Sequence, residues 1–141
     1  YAAVIISYAQ GFSLMGLASA EYDYQLDMKK IAEIWRAGCI IRADLLDDIM
    51  RAYDRNHDLD NLLFDEDFRA IVLHRQGAMR YVISTAVGLG IPVYGLSSAL
   101  AYFEALRTAR LPTNLTQAQR DYFGAHTYRR LDKEGSFHTE W

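Results

Sequence analysis

The residues of this chain best suited to chemistry lie near its C-terminus, in residues 117–128, which read QAQRDYFGAHTY. Arg120 carries a planar fork of donors that fits phosphate or carboxylate oxygens. His126 adds a donor that titrates near neutral pH. Residues six apart in a continuous helix point about 120° away from each other, so both can reach one ligand only if the helix ends near Gly124 and the chain bends back. These residues therefore indicate a candidate anion site at a helix end.

A simpler interpretation of Arg120 and His126 also stays open. In it, Arg120 pairs with a surface carboxylate and His126 only caps the helix. The charge distribution bears on this choice, because residues 44–67 hold nine acids and two arginines, whereas residues 107–133 hold six basic residues and two acids. The candidate site lies in the basic zone, but residue chemistry alone leaves both interpretations open.

Two other motifs resemble known sites and fail on their strictest requirements. The loop DRNHDLDNLLFD has oxygen ligands at calcium-loop spacing, but Leu59 stands where a glycine is needed and Asp65 where a glutamate is needed. Gly88 and Gly90 match the start of a dinucleotide-binding fingerprint, but Val93 replaces its third glycine and the glycines close a helix. We expect neither site here, and no metal, since the four histidines lack helical ligand spacing.

The elements that position these residues are predicted to be helices. Hydrophobic residues make up 51% of the 141 residues and charged residues 23%, with two prolines and little strand-like alternation. We predict an all-α domain over residues 1–128 and an extended tail over residues 129–141, in which Phe137 and Trp141 are isolated aromatic residues. Such a tail is either flexible or lies on a partner surface that buries its aromatic anchors. The expected helices cover about residues 1–20, 28–38, 43–53, 65–89 and 97–106, and a last one begins at a Thr116–Gln119 capping box. Asp27 caps the second helix, and Ser97 or Ser98 the fifth.

The first twenty residues contain no charge, so a membrane span and a buried bundle helix both have to be considered. Gln10, several serines and the lack of basic flanks favour the bundle helix, and we expect no membrane association. A net charge of −3 argues against nucleic-acid binding, and the single Cys39 fits a reducing, cytoplasmic compartment. Because the chain opens at Tyr1 inside a helical pattern, we expect it to be the rear part of something longer.

Residues 117–128 resemble the C-terminal signature of the 6-phosphogluconate dehydrogenase family. Further segments are similar to that family in the same order along the chain: ISYAQGF, IWRAGCIIRA, NLLFDEDF, GIPVYGLSSALAYFEALRTARLPTNLT and DKEGSFHTEW. The similarity extends over essentially the whole chain. It implies the second half of the family's all-helical domain followed by the C-terminal tail.

The resemblance also implies a function. The family oxidises 6-phosphogluconate with NADP and decarboxylates it to ribulose 5-phosphate, in the pentose phosphate pathway. By position, Arg120 and His126 would bind the substrate across the interface of a homodimer, and NADP and the catalytic residues would lie in parts of the parent enzyme outside this chain. We therefore expect the chain alone to be inactive, with no catalytic, cofactor-binding or metal-binding residue. The alternative is a free-standing helical module that dimerises or binds a phosphorylated metabolite.

Overall fold

The computed structural model describes residues 1–141 and contains six α-helices and one short 3-10 helix. The α-helices are α1 (Ala2–Tyr22), α2 (Met28–Trp35), α3 (Leu45–Arg55), α4 (Glu66–Gly88), α5 (Tyr94–Arg107) and α6 (Asn114–Gly124), and the 3-10 helix is Leu62–Phe64. An isolated antiparallel bridge between Tyr128 and Phe137 is the only strand-like pairing. The predicted all-α fold class is thus confirmed.

The chain forms two compact units, Tyr1–Leu106 and Arg107–Trp141. The first unit holds the hydrophobic core, and the second holds α6 and everything that follows it. The division predicted from the sequence, with a boundary after Tyr128, stays a prediction.

The core of the first unit is built on one face of α1. Phe12 is buried there, with its ring edge-on to Trp35 at 5.4 Å and tilted against Tyr53 at 5.8 Å between centroids. Burial raises the pKa of Tyr53 to about 12, because the phenolate form would lose its hydration. These aromatic contacts join α1 to α2 and α3.

The other face of α1 is exposed, so this helix is not enclosed by the chain. Leu14 is 67% exposed and Leu17 is 69% exposed. By length and composition α1 could cross a membrane, a property that core helices of soluble proteins share. Its buried face, which includes Ile5, Ile6 and Phe12, belongs to the core of the first unit.

Aspartate caps start two of the helices. Asp27 accepts a hydrogen bond from the Lys30 amide at 3.1 Å, which confirms the predicted cap of α2. Asp65 caps α4 by accepting from the Asp67 and Phe68 amides, and its other oxygen accepts from the Arg55 guanidinium at 2.6 Å. Asp65, the last residue of the calcium-like pattern, therefore caps α4 and binds Arg55.

Two predicted helix starts were wrong. The fifth helix begins at Tyr94, because the Ser97 amide already donates to the Val93 carbonyl at 2.9 Å, and Ser97 and Ser98 lie inside it. The last helix begins at Asn114, before the supposed capping box, and its first turn closes when the Gln117 amide donates to the Thr113 carbonyl at 3.0 Å. In each case the helix begins two residues after a proline, Pro92 or Pro112.

Replacing Asp65 by alanine should destabilise the first unit, because both the α4 cap and the charge-assisted bond to Arg55 are lost. We expect the free energy of unfolding to fall by roughly 2–3 kcal/mol, measured by urea denaturation followed by far-UV circular dichroism. Asp58→Ala is the matched control, since Asp58 is exposed and its carboxylate has no hydrogen-bond partner. Equal losses in the two variants would contradict the assignment.

Candidate anion-binding site

Gly124 is the last residue of α6, so the helix that carries Arg120 meets the condition for Arg120 and His126 to reach one ligand. Ala125 follows in the left-handed conformation at φ 47°, and Thr127 adopts the same conformation at φ 61°. The Ala125 amide donates to the Asp121 carbonyl at 2.9 Å and closes the helix end. The chain therefore turns sharply on either side of His126.

Gly124 contributes to this turn through its size, and not through the bend that was expected of it. The left-handed residue is Ala125, so the change of direction comes one residue later than predicted. A Cβ atom at Gly124 would lie 2.6 Å from Nε2 and 2.7 Å from Cδ2 of His126, well inside van der Waals contact. Any residue with a Cβ atom at this position would require the exposed imidazole to move away from the end of α6.

Both predicted site residues are exposed at this helix end. The His126 amide lies 3.5 Å from the Arg120 carbonyl, so the structure brings their main chains together. The His126 ring stands edge-on to Phe123 at 5.8 Å, and neither the guanidinium nor the imidazole has a hydrogen-bonding or ion-pair partner in the chain. The structure shows no ion pair between Arg120 and a carboxylate of its own chain, and the His126 amide takes part in closing the helix end, so the role of the two side chains stays a prediction.

The residue next to Arg120, Asp121, holds the second unit together. Its side chain is fully buried, and both carboxylate oxygens accept two hydrogen bonds. Oδ1 accepts from the Thr127 amide at 3.2 Å and lies 2.9 Å from Nδ1 of His138. Oδ2 accepts from the Thr139 amide at 2.9 Å and from the Trp141 indole at 3.2 Å. One carboxylate thus joins the end of α6 to the last residues of the chain.

The pKa of Asp121 is held below its usual range. Burial acts to raise this pKa, because the carboxylate loses hydration, but the hydrogen bonds from Thr139, His138 and Trp141 together favour the charged form and prevail. The carboxylate is therefore ionised at neutral pH, as a group surrounded by donors should be.

Sequence reasoning missed this cluster. In the sequence, Asp121 stands out only as an acid in a basic zone, and His138 only as a histidine without metal-ligand spacing. The partners are 17 to 20 residues further along the chain, and no local periodicity connects such positions. The one available signal was an acid on a helix that otherwise lies among basic residues.

The tail after Tyr128 folds back and is held by contacts within its own unit. Tyr128 and Phe137 exchange two main-chain hydrogen bonds of 2.9 Å, and the Tyr128 hydroxyl lies 2.8 Å from Oγ1 of Thr139. The Trp141 ring stands edge-on to Tyr122 at 5.8 Å. The two aromatic residues of the tail therefore have neighbours in their own chain, although Trp141 remains 63% exposed.

The glycines that resemble the start of a dinucleotide fingerprint lie at the end of a helix. Gly88 ends α4, and no strand precedes it, whereas a dinucleotide fingerprint connects a strand to a helix. No group of three or more His, Cys, Asp or Glu side chains is arranged to hold a metal ion.

Comparison with known proteins gives one consistent result. The family model "6-phosphogluconate dehydrogenase, C-terminal domain" matches residues 1–141. The NADP(+)-dependent decarboxylating 6-phosphogluconate dehydrogenase of Bacillus subtilis is 62% identical over 137 residues, which are 97% of this chain and 29% of that protein. The decarboxylating 6-phosphogluconate dehydrogenase 1 of Spinacia oleracea is 55% identical over the whole chain and 29% of that protein.

A solved structure agrees with these relatives. The 6-phosphogluconate dehydrogenase of Plasmodium falciparum, studied in its apo form and with NADP+ or 6-phosphogluconate, superposes with a TM-score of 0.91. It is 45% identical and matches all of this chain and 30% of its own length.

The matched class is that of helical C-terminal domains of decarboxylating dehydrogenases. The chain belongs to the 6-phosphogluconate dehydrogenase family, as its C-terminal domain. It spans 29% of the length of these curated relatives, so a complete enzyme of the family contains much more than the residues described here.

Replacing Gly124 by alanine should displace the His126 ring, because the new Cβ would overlap the imidazole. Alanine in a helix normally adds up to about 1 kcal/mol over glycine. We expect no such gain at Gly124, together with a change in the NMR signals of the His126 ring. Gly77→Ala in α4 is the control, since nothing lies within 4 Å of its Cβ position and the usual gain should appear. An undisturbed His126 ring in Gly124→Ala would contradict the steric role.

Acid should release the tail from α6. Because the folded pKa of Asp121 lies below the ordinary carboxyl value of about 4, its bonds stabilise the docked tail above that pH. This stabilisation is lost as the pH falls through the lowered pKa. We expect the NMR signal of the Trp141 indole N–H to shift to a solvent-exposed position in that range. Asp121→Asn should abolish the transition, and an unchanged indole signal down to about pH 2 would contradict the assignment.

Proposed function

We propose that this domain serves a complete 6-phosphogluconate dehydrogenase, in which Arg120 and His126 bind the phosphate of 6-phosphogluconate. The observation that carries the proposal is a guanidinium and an imidazole, both exposed and both without a partner in the chain, at one helix end whose main chain is fixed. An unpaired guanidinium and an unpaired imidazole at the same helix end are suitable hydrogen-bond donors for a phosphate dianion.

The position of the site at a surface supports a second part of the proposal. Side chains that project from a helix end into solvent can reach a ligand in a neighbouring subunit, and we place the substrate mainly in the companion subunit of a homodimer. Charge-assisted bonds to its phosphate would hold the sugar acid in one orientation while its other end reacts. This chain then supplies dimerisation and cross-subunit substrate contacts, and the catalytic residues come from elsewhere in the complete polypeptide.

The names of the relatives support a proposal for the cofactor and the compartment of the complete enzyme. The Bacillus subtilis relative is named as NADP(+)-dependent, and we propose NADP for the complete enzyme, bound outside this domain. We also propose a cytoplasmic enzyme, in keeping with the single reduced cysteine, Cys39. Some plant relatives are named as chloroplastic, so the compartment differs within the family.

Arg120→Ala in the complete enzyme tests the site. Loss of a phosphate-binding guanidinium should weaken 6-phosphogluconate binding by roughly 2–4 kcal/mol, which is about 30- to 1000-fold in KM. The KM for NADP should change little, because the cofactor makes no contact with this residue in the proposal. Both constants come from steady-state measurement of NADPH absorbance.

Arg129→Ala is the matched control for Arg120→Ala. Arg129 is also exposed and lies in the same unit. Arg129→Ala removes the same charge, but Arg129 lies beyond the turn that carries His126. The KM of the Arg129→Ala enzyme for 6-phosphogluconate should rise less than about threefold, because salt screens the effect of a charge that does not contact the ligand. Equal effects in the two variants would mean that only net charge matters, and an unchanged KM in Arg120→Ala would reject the site.

A further inference from the structure

We infer that Asp121 is a positioning residue for substrate binding, and that through it the C-terminal residues His138–Trp141 hold His126 in place. This inference rests on the proposed function of Arg120 and His126 and extends it to residues that do not touch the substrate.

The first support is that Asp121 fixes the main chain on both sides of His126. Its carbonyl accepts from the Ala125 amide at 2.9 Å, and its carboxylate accepts from the Thr127 amide at 3.2 Å. Ala125 and Thr127 both adopt left-handed conformations, which a residue with a side chain adopts only when its surroundings enforce them. The Asp121 carboxylate supplies that enforcement at Thr127, and His126 is the residue between the two constrained positions.

The second support is that the same carboxylate needs the tail. The Thr127 amide and the His138 ring use one oxygen, and the Thr139 amide and the Trp141 indole use the other. All acceptor capacity of this buried group is therefore divided between the turn that carries His126 and the end of the chain. If the tail leaves, the carboxylate becomes hydrated and its hold on Thr127 weakens.

The third support is the direction of the neighbouring side chains. Arg120 and Asp121 are consecutive, so one points to solvent while the other is completely buried. The buried residue anchors the last turn of α6 on which the exposed guanidinium stands. The same helix turn therefore carries the exposed Arg120 and the buried residue that fixes the turn around His126.

The test is Asp121→Asn in the complete enzyme. Asparagine keeps the size of the side chain, but its amide nitrogen replaces one acceptor oxygen, so two of the four positions lose their acceptor in either orientation. We expect the KM for 6-phosphogluconate to rise roughly tenfold, with the KM for NADP and kcat within about twofold of the parent. A merely structural role would instead lower thermal stability and leave the ratio of the two KM values unchanged, and that result would overturn the inference.

Asp132→Asn is the matched control. Asp132 undergoes the same chemical change in the same unit and also loses a charged partner, because it binds Arg130 at 2.6 Å. It makes no contact with the turn around His126. Its KM for 6-phosphogluconate should stay that of the parent, and a tenfold rise here too would reject the specific role of Asp121.

A double-mutant cycle identifies the route of the effect. If Asp121 acts through His126, then Asp121→Asn in a His126→Ala background should raise KM less than about threefold, because most of what it positions is already gone. Full additivity of the two changes would overturn the route. If Arg120→Ala and His126→Ala themselves leave KM unchanged, the proposed function fails; if they raise KM and Asp121→Asn does not, only the present inference fails.

A milder variant covers the case in which Asp121→Asn does not fold. Trp141→Phe removes one donor to Asp121 and keeps an aromatic ring against Tyr122. We expect a rise of roughly threefold in the KM for 6-phosphogluconate with kcat preserved. A folded Trp141→Phe enzyme with the KM of the parent would overturn the coupling between the tail and the site.

Discussion

The second unit depends on one buried negative charge. A carboxylate with no exposed surface would be unfavourable in isolation, and Asp121 is stable only because four donors surround it. Those donors come from two stretches: the turn after α6 and the last four residues of the chain. The requirement to satisfy Asp121 therefore determines the path of the chain after the helix. In a segment with little hydrophobic core, a polar centre takes over the organising role.

The first unit is organised in the usual way, by burial of apolar side chains around α1, and this contrast explains what the sequence could predict. Helical periodicity marked α3 and α4 to within two or three residues, because the inward positions of those helices recur every three or four residues. Helix starts were less reliable. Thr116 and Gln119 have the spacing of a capping box, yet the Thr113 carbonyl starts α6 earlier.

Sequence reasoning could identify only some of the residues that form the site. Arg120 and His126 follow from local spacing, and the resemblance to a family gave them a role. The supporting residues could not be found in this way. The bonds between Asp121 and His138, Thr139 and Trp141 join positions that only the folded chain brings together, and an exposed-looking Asp in a charged segment gives no sign of burial. Even Gly124 was assigned the right place for the wrong reason, since its hydrogen side chain makes space for an imidazole.

The two left-handed residues beside His126, Ala125 and Thr127, affect both the stability of the turn and the orientation of the imidazole. An alanine or threonine at positive φ costs about 1 kcal/mol relative to glycine, so glycine at Ala125 or Thr127 would relieve local strain. The same exchange would give the turn more freedom and spread the imidazole over several orientations. At these two positions, a change to glycine should therefore raise thermal stability and weaken ligand binding. Laboratory evolution for robustness alone should drift toward glycine there, at the expense of affinity.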